Sequence, residues 1–325
     1  MTRIPLNAYL LALFGAFFTT LITLPLWRRW CLRVGLVDAP GRRKIHDAPA
    51  PLAGGLAVLT GLAVPLVAGA IAVKFDLLGI NTSGLLSYGL SQRAVRLMAI
   101  LLGALAMVAL GCWDDKYELR PAVKFGGQFF IAALVAAAGV RITLFVHSAL
   151  FSHAITVLWI LTVTNAFNFM DNMNGLCTGL GAIAASCFAM IAAADGQYLV
   201  ALIALVSAGA LLGFLPYNYP NATAFLGDSG SHLVGFLLAI LAILPHFYSR
   251  RHQDVLAVFK PLLVLAVPLI DLVWVVILRW KSGRPFYVGD TNHLSHRLVR
   301  RGWSRARAVL LIWLLAAVSG GLALL

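Results

Sequence analysis

Four aspartates are the residues of this chain best suited to chemistry. Asp114 and Asp115 are adjacent at the end of an apolar run, Asp171 belongs to a polar stripe, and Asp228 lies in the segment Gly-Asp-Ser-Gly. Acids are scarce, at twelve in 325 residues. Two neighbouring carboxylates at the end of a hydrophobic segment therefore need a counter-charge, and a divalent cation with oxygen ligands would supply it.

The aspartate pair also has a purely structural interpretation, in which Asp115 caps the next helix and Asp114 is solvated. Lys124 and Gln128 weigh against it, because they are four residues apart and place a cation and an amide on one face of the next helix. If the backbone is helical at the pair, the two side chains diverge by about 100°. We therefore expect Asp114 and Asp115 to have unequal roles.

The polar stripe consists of Asn165, Asn168, Asp171 and Asn174, each three residues from the next. Lipid would penalise such a face by a few kcal/mol per group. The stripe therefore predicts a hydrated cavity walled by protein, and a hydrogen-bond ladder between helices is the alternative. In Gly227-Asp-Ser-Gly-Ser, the free N–H groups of a helix N-terminus could bind phosphate, and Asp228 is either a helix cap or a metal ligand.

A fourth polar segment, Asp290-Thr-Asn-His293-Leu-Ser-His296-Arg297, lies in the most basic joint of the chain. Two histidines three residues apart near an aspartate are compatible with zinc, but no third strong ligand has suitable spacing. Contact of the histidines and Arg297 with phosphate fits better. The four cysteines show no metal-ligand spacing and are interpreted as packed hydrophobic residues.

The composition places these segments in a membrane protein. The chain is 61% hydrophobic and 11% charged, with a mean hydropathy of +0.90. We expect one all-α domain over residues 1–325, a polytopic bundle of about ten transmembrane helices. The net charge of +13 comes from basic clusters beside the apolar runs, which positive-inside bias and anionic lipid explain without nucleic acid.

Ten apolar runs are long enough to be candidate membrane spans. They cover residues 8–27, 53–73, 93–112, 123–140, 154–170, 175–194, 197–215, 232–248, 257–278 and 306–324. The first is interpreted as a retained helix rather than a cleaved signal, because it lacks a small-residue cleavage site and is followed by Arg28-Arg29. The fifth and sixth nearly touch, which predicts a tight turn at 171–175.

Lysine and arginine set the orientation. With both termini outside, the joints 28–52, 113–124 and 279–307 face the cytoplasm and contain seventeen of the twenty-five basic residues. The same orientation places all four polar segments on the cytoplasmic face, which predicts a cytoplasmic active site.

Five segments, in this order, resemble the polyprenyl-phosphate N-acetylhexosamine-1-phosphate transferases of glycosyltransferase family 4. They are Arg43-Lys44-Ile-His46 with Pro49-Ala-Pro-Leu-Ala-Gly54-Gly55, Asp114-Asp115 with Lys124, Asn165-x-x-Asn168-x-x-Asp171, Phe225-Leu-Gly-Asp228-Ser-Gly-Ser, and His293-Leu-Ser-His296-Arg297. The resemblance implies an enzyme of the bacterial inner membrane that transfers a sugar-1-phosphate, most typically N-acetylhexosamine-1-phosphate, from a UDP-sugar to undecaprenyl phosphate. UMP is released, Mg²⁺ or Mn²⁺ is required, and the product initiates a cell-envelope polysaccharide.

The resemblance also assigns roles to residues. Asp114 would contact or deprotonate the lipid phosphate, Asp115 would assist, and Asp171 would be a further essential carboxylate. Asp228 is the expected metal ligand, with Asp114 or Asp115 as alternatives. The substrate-binding residues implied are Lys44, His46, Lys124, Asn168, Asn174, His293, His296 and Arg297. The implied partners are undecaprenyl phosphate, a UDP-sugar, membrane lipid and a second copy of the chain.

Two positions depart from the family pattern. The family usually reads Asp-Gly-x-Asp-Gly where this chain has Asp171-Asn-Met-Asn174-Gly, and Asn174 could still donate to and accept from a uracil edge. In the last segment Ser295 replaces a usual histidine, which puts the identity of the sugar in doubt. Asp271, inside the ninth span, matches a family acid and is interpreted as structural.

Three alternatives stay open on the sequence. The phospho-MurNAc-pentapeptide translocase is the closest, but its Pro-Thr-Met-Gly-Gly loop and richer histidine loop are absent. A transporter would place its polar groups near the membrane midplane and commonly contains an internal repeat. A lipid-phosphate-binding protein without catalysis is suggested by Asn174 and Ser295, whereas Asp114, Asp115, Asp171 and Asp228 all remain.

Overall fold

The protein is a bundle of helices with one two-stranded ladder. The computed structural model describes residues 6–38, 50–75, 77, 80–143, 148–245, 258–285 and 287–325. In chain order the elements are α1 (Leu6–Val34), β1 (Val37–Asp38), β2 (Ala50–Pro51), α2 (Gly54–Lys74), α3 (Ile80–Tyr117), α4 (Pro121–Ala137), α5 (Ala149–Met170), α6 (Leu176–Ala194), α7 (Tyr198–Asn218), α8 (Gly227–Leu241), α9 (Lys260–Val264), α10 (Ala266–Lys281), α11 (Leu294–Arg300) and α12 (Arg305–Leu322).

Apolar side chains are distributed as expected for a bundle in lipid. The central helices α6, α7 and α8 bury most of their residues, whereas α1, α3 and α12 present large apolar side chains such as Phe14, Leu102 and Leu314 to the outside. Within the described residues, seven helices have the length and hydropathy to cross a membrane. The prediction of an all-α, multi-pass membrane protein is confirmed, while the number of crossings and their orientation stay predictions.

Each predicted span overlaps a helix, and two differences are instructive. Helix α3 continues from Ile80 to Tyr117, well beyond the predicted run of 93–112, because polar residues outside the apolar run can continue a helix without leaving backbone groups unpaired. The ninth span is divided at Leu265 into α9 and α10. Pro268 explains the division, since it has no N–H to donate to the carbonyl of Val264.

Helix α8 is short for a membrane span. Its 15 residues extend about 22 Å at 1.5 Å per residue, less than the roughly 30 Å of a hydrocarbon core. Nearly all of its residues are buried by protein, including Leu233, Phe236 and Leu241. Backbone at its ends is therefore covered by protein instead of lipid, which allows a helix to end at membrane depth.

Two short connections shape the end of the bundle that carries the polar segments. Strands β1 and β2 pair antiparallel, with Val37 opposite Pro51. Lys44 and His46, in the joint between them, lie outside the described residues. The predicted turn between α5 and α6 is present, and Gly175 takes a φ of 75°, a left-handed conformation that glycine adopts without steric cost.

Candidate active site

A cavity of about 1050 Å³ brings three of the four polar segments together. Its walls come from the C-terminal ends of α3, α5 and α7 and from the N-terminal ends of α4, α8 and α12, so they belong to one end of the bundle. The polar residues that line it include Asp114, Asp115, Lys124, Asn165, Asn168, Asp171, Asn174, Asp228, Tyr287 and Arg305. The asparagine stripe faces this cavity, as predicted.

Lys124 joins two of the carboxylates. Its Nζ lies 2.7 Å from Asp114 Oδ2 and 3.0 Å from Asp228 Oδ2. The side chain of Asp228 is 32% exposed and that of Asp114 is 7% exposed. A cation therefore already bridges helices α3 and α8, and Asp228 is the carboxylate of the two that is more open to a ligand in the cavity.

Asp115 has a different function from its neighbour, as the helical geometry predicts. Its two carboxylate oxygens accept the backbone N–H groups of Asp228 at 2.7 Å and of Ser229 at 3.1 Å. These N–H groups belong to the first turn of α8, where no earlier residue of the helix can accept from them. Asp115 thus caps α8 from another helix, and the helix end expected to bind phosphate already binds carboxylate.

Asp171 also lies beside this turn, close to Gly227. Burial is the main cause that raises the pKa of Asp171 well above its usual value, and the negative charges of Asp228 and Asp115 raise it further. Four carboxylates surround the start of α8, and one lysine pairs with two of them. A cation bound here would counter the negative charge of Asp228 and Asp115 that raises this pKa.

Close backbone contact holds α3 against α8 at this point. A Cβ added at Gly111 would lie 2.3 Å from the Cα of Ser229, which is shorter than any allowed contact between these atoms. Only glycine fits here, and it lets α3 approach α8 closely enough for Asp115 to reach the N–H groups. The start of α2 contributes in the same way, since Gly55 donates its N–H to the carbonyl of Leu226.

The side chains of the asparagine stripe form hydrogen bonds to neighbouring helices and also face the cavity. Asn168 Nδ2 donates to Asp228 Oδ1 at 2.5 Å and to Ser231 Oγ at 2.9 Å. Asn165 Nδ2 donates to Gln128 Oε1 at 2.7 Å. Both interpretations of the stripe are therefore correct, because the same side chains form the interhelical ladder and the cavity wall.

The histidine segment is held by Asp271. His293 is buried, its Nδ1 lies 2.6 Å from Asp271 Oδ2, and the Leu294 N–H donates to Asp271 Oδ1 at 2.7 Å. The structural interpretation of Asp271 agrees with these contacts. Arg279 stacks over the ring of Phe169, with 4.7 Å from the guanidinium carbon to the ring centroid, and pairs with Asp290 at 3.0 Å. The last loop is thus attached to α5 and α10.

Burial and neighbouring groups together shift the pKa values of two titratable residues of this loop. Burial alone would raise the pKa of Asp290, but the Asn292 N–H and the Arg279 guanidinium outweigh it, and that pKa lies below its usual value. The pKa of His296 is also lowered, first by burial and then by neighbouring positive charge from His293, Arg300 and Arg305.

The expected substrate contacts of the histidine segment stay predictions. None of His293, His296 and Arg297 is among the described residues that line the cavity. Arg297 instead packs over the ring of Trp274 at 5.1 Å.

The two departures from the family pattern lie in segments that touch each other. Ser295 is fully buried, and its hydroxyl donates to Asn172 Oδ1 at 2.6 Å. Asn172 in turn donates to the carbonyl of Phe169. Asn174 faces the cavity and donates to the carbonyl of Pro220. The contact between Ser295 and Asn172 connects the histidine segment to the turn that carries Asp171.

Several residues of the site had no predicted role. Arg305 and Tyr287 line the cavity, and Arg305 was visible in the sequence only as one of many basic residues. Asn218 is buried and accepts from Gly175 N and Thr178 Oγ, and its polar side chain at the end of an apolar helix was a usable signal. His232 offers a ring nitrogen within 4.8 Å of carboxylate oxygens of Asp114 and Asp228.

Comparison with known proteins agrees with the family resemblance seen in the sequence. Residues 97–246 match the family model described as glycosyl transferase family 4. The chain is 34% identical over 308 residues to a probable undecaprenyl-phosphate N-acetylglucosaminyl 1-phosphate transferase of Bacillus subtilis, covering 92% of this chain and 80% of that protein. It is 33% identical over 333 residues to a decaprenyl-phosphate N-acetylglucosaminephosphotransferase of Mycobacterium tuberculosis, covering 94% and 79%.

A more distant relative has the same kind of name. The undecaprenyl-phosphate alpha-N-acetylglucosaminyl 1-phosphate transferase of Escherichia coli K12 is 26% identical over 333 residues, covering 96% of this chain and 82% of that protein. The region of the family model contains Asp114, Asp115, Lys124, Asp171 and Asp228.

Proposed function

Since the chain belongs to glycosyl transferase family 4, we propose that it transfers N-acetylglucosamine-1-phosphate from a UDP-sugar to a polyprenyl phosphate, with undecaprenyl phosphate as the natural acceptor. The names of the relatives support the sugar and the polyprenyl phosphate. The observation that carries the proposal is the cluster of four carboxylates and Lys124 in a cavity at one end of a membrane bundle. We place this cavity on the cytoplasmic side of the bacterial inner membrane.

Lys124 and Asp114 are the groups we assign to the acceptor. The ammonium of Lys124 is compact and carries three donors, so it can leave its carboxylates and bind the phosphate of the lipid. Asp114 faces the same position and orients that phosphate, or accepts its proton when the phosphate arrives as a monoanion. A phosphate oxygen then attacks the β-phosphorus of the UDP-sugar. The bond between the β-phosphorus and the bridging oxygen breaks, and UMP leaves with that oxygen.

The donor set fits a hard divalent cation. Asp228 and Asp114 offer carboxylate oxygens around a position that a cationic ammonium occupies, and Mg²⁺ prefers one or two carboxylates together with substrate phosphates. When bound, Mg²⁺ would neutralise charge on the diphosphate. Asp115 is assigned to hold the start of α8, and thereby Asp228, because both of its oxygens accept N–H groups from that turn.

The test is a transfer assay with purified protein in detergent or nanodiscs. Undecaprenyl phosphate is combined with UDP-N-acetylglucosamine, UDP-N-acetylgalactosamine or UDP-glucose, and UMP release is followed with and without Mg²⁺. We expect UMP and a lipid diphosphate product only with Mg²⁺ and an N-acetylated sugar. Binding of the lipid phosphate without UMP from any donor would refute the enzyme and favour a binding protein.

Asp228→Ala provides the matched test of the metal assignment. We expect this variant to lose metal-dependent turnover while it remains folded. Unchanged dependence of the rate on Mg²⁺ would remove Asp228 from the metal site.

A further inference from the structure

A buried chain of polar side chains runs directly beneath the carboxylate cluster. Asn165 Nδ2 donates to the backbone carbonyl of Leu161 at 2.8 Å and to Gln128 Oε1 at 2.7 Å. Gln128 Nε2 lies 3.2 Å from His232 Nε2. Gln128 and His232 are fully buried. None of the roles proposed above uses His232, although it stands in the helix that carries Asp228.

The direction of this chain follows from one backbone group. The carbonyl of Leu161 can only accept, so the Asn165 atom beside it is the amide nitrogen. The same nitrogen faces Gln128, whose atom at that position must then be the acceptor Oε1. The NH₂ group of Gln128 consequently points at His232 Nε2, which has to accept.

The tautomer of His232 is thereby determined. A neutral imidazole has one nitrogen with a lone pair and one N–H, so acceptance at Nε2 places the proton on Nδ1. A second proton on Nε2 would set an N–H against the NH₂ of Gln128. The chain therefore holds the ring in its neutral form.

The Nδ1–H group is a buried donor, and it has no hydrogen-bond partner among the described residues. A donor left unpaired in the interior loses its full hydration, so such groups normally find an acceptor. A ring nitrogen of His232 and carboxylate oxygens of Asp114 and Asp228 all lie within 4.8 Å of one another. Asp228 and His232 are four residues apart on α8, and their side chains therefore share one face.

We propose that His232 is a positioning residue for Asp228, a neutral histidine whose Nδ1–H donates to the Asp114–Asp228 carboxylates through one bridging water. The proximity of the three side chains would also suit a metal site with His232 as a third ligand. The hydrogen-bond chain excludes that role, because the only lone pair of the neutral ring faces Gln128. The positioning role rests on the proposed function, because that function makes Asp228 the metal ligand. The assignment of the His232 tautomer does not depend on the proposed function.

The tautomer is measured on metal-free protein labelled with ¹⁵N-histidine. Nitrogen chemical shifts, assigned by comparison with His232→Leu, distinguish the two neutral tautomers and the imidazolium. We expect His232 to be neutral with the proton on Nδ1. A proton on Nε2, or an imidazolium at neutral pH, would overturn the proposal. This measurement requires no substrate and no turnover.

The positioning role is tested with two amide variants that separate the ring nitrogens. His232→Asn retains an amide donor near the position of Nδ1, whereas His232→Gln retains an amide near Nε2 and removes the donor beside the carboxylates. Mn²⁺ binding is followed by electron paramagnetic resonance, and KM and kcat are measured separately. Residues that orient metal ligands typically change metal affinity about 10- to 100-fold.

We expect a loss in that range for His232→Gln, with kcat reduced, and a several-fold smaller loss for His232→Asn. Equal losses, or wild-type binding in His232→Gln, would overturn the positioning role. If the wild-type protein binds no Mn²⁺, the metal part of the proposed function fails, and the tautomer measurement still decides the present proposal.

Discussion

Asp115→Asn should destabilise the protein more than Asp114→Asn, although the two residues are adjacent. Asp115 accepts two N–H groups from the first turn of α8, at 2.7 and 3.1 Å. An amide has one acceptor oxygen, and its NH₂ would face the second N–H group. Hydrogen bonds to a charged group contribute about 1.5–3 kcal/mol each, and negative charge at a helix N-terminus adds about 0.3–1 kcal/mol. We expect a loss of about 2–4 kcal/mol in the free energy of unfolding.

Asp114→Asn is the matched control. Lys124 keeps Asp228 at 3.0 Å, and the amide oxygen can still accept the N–H of Leu119 that bonds to Asp114 Oδ1. We therefore expect a smaller loss in the free energy of unfolding than for Asp115→Asn. Its main effect should be on turnover, because Asp114 is the residue assigned to the acceptor phosphate.

The assay is thermal unfolding of the purified variants in one detergent, followed by the fluorescence of the eight tryptophans. Membrane proteins often unfold irreversibly, so all variants are compared at one scan rate. At roughly 2–4 °C per kcal/mol, Asp115→Asn should lower the midpoint by about 4–16 °C. A midpoint for Asp115→Asn equal to that of the wild type, or not lower than that of Asp114→Asn, would refute the capping role of Asp115.

Two further predictions concern the supports of the site. Gly111→Ala should lower the unfolding midpoint, by an overpacking cost of about 1–3 kcal/mol, because the new Cβ would lie 2.3 Å from the Ser229 backbone. Gly126→Ala, with nothing within 4 Å, is the control, and equal midpoints would contradict the close contact. Asp271→Asn should speed tryptic cleavage between residues 284 and 307, since it removes the charge opposite His293; an unchanged digestion rate would show that the last loop is held by other contacts.

Much of the fold could be predicted because lipid imposes simple rules on sequence. Apolar runs of sufficient length gave all the major helices, and the proximity of two runs predicted the turn that ends at Gly175. The division of the ninth span could also be predicted from the sequence, since Pro268 removes a backbone donor inside the run. The full extent of α3 could not be predicted, because hydropathy marks where a helix enters lipid and not where the helix ends.

The structure brings some of the predicted site residues together, and their contacts were harder to predict. The polar segments were expected on one face, and Asp114, Lys124, Asn168 and Asp228 do meet there. The bond from Asp228 N to Asp115 joins residues 113 positions apart, and no local pattern specifies such a pair. His232 was overlooked for a similar reason, since a single histidine in an apolar helix is ordinary until its partners are known.

The cap on α8 has a consequence for biosynthesis. Asp115 is translated 113 residues before the N–H group that it accepts from Asp228, which at about 5–20 residues per second is an interval of roughly 6–23 seconds. During this interval the aspartate pair has no partner from α8. This end of the bundle is therefore completed only after α8 has been made, so a ribosome that stalls before α8 leaves a protein without the proposed active site.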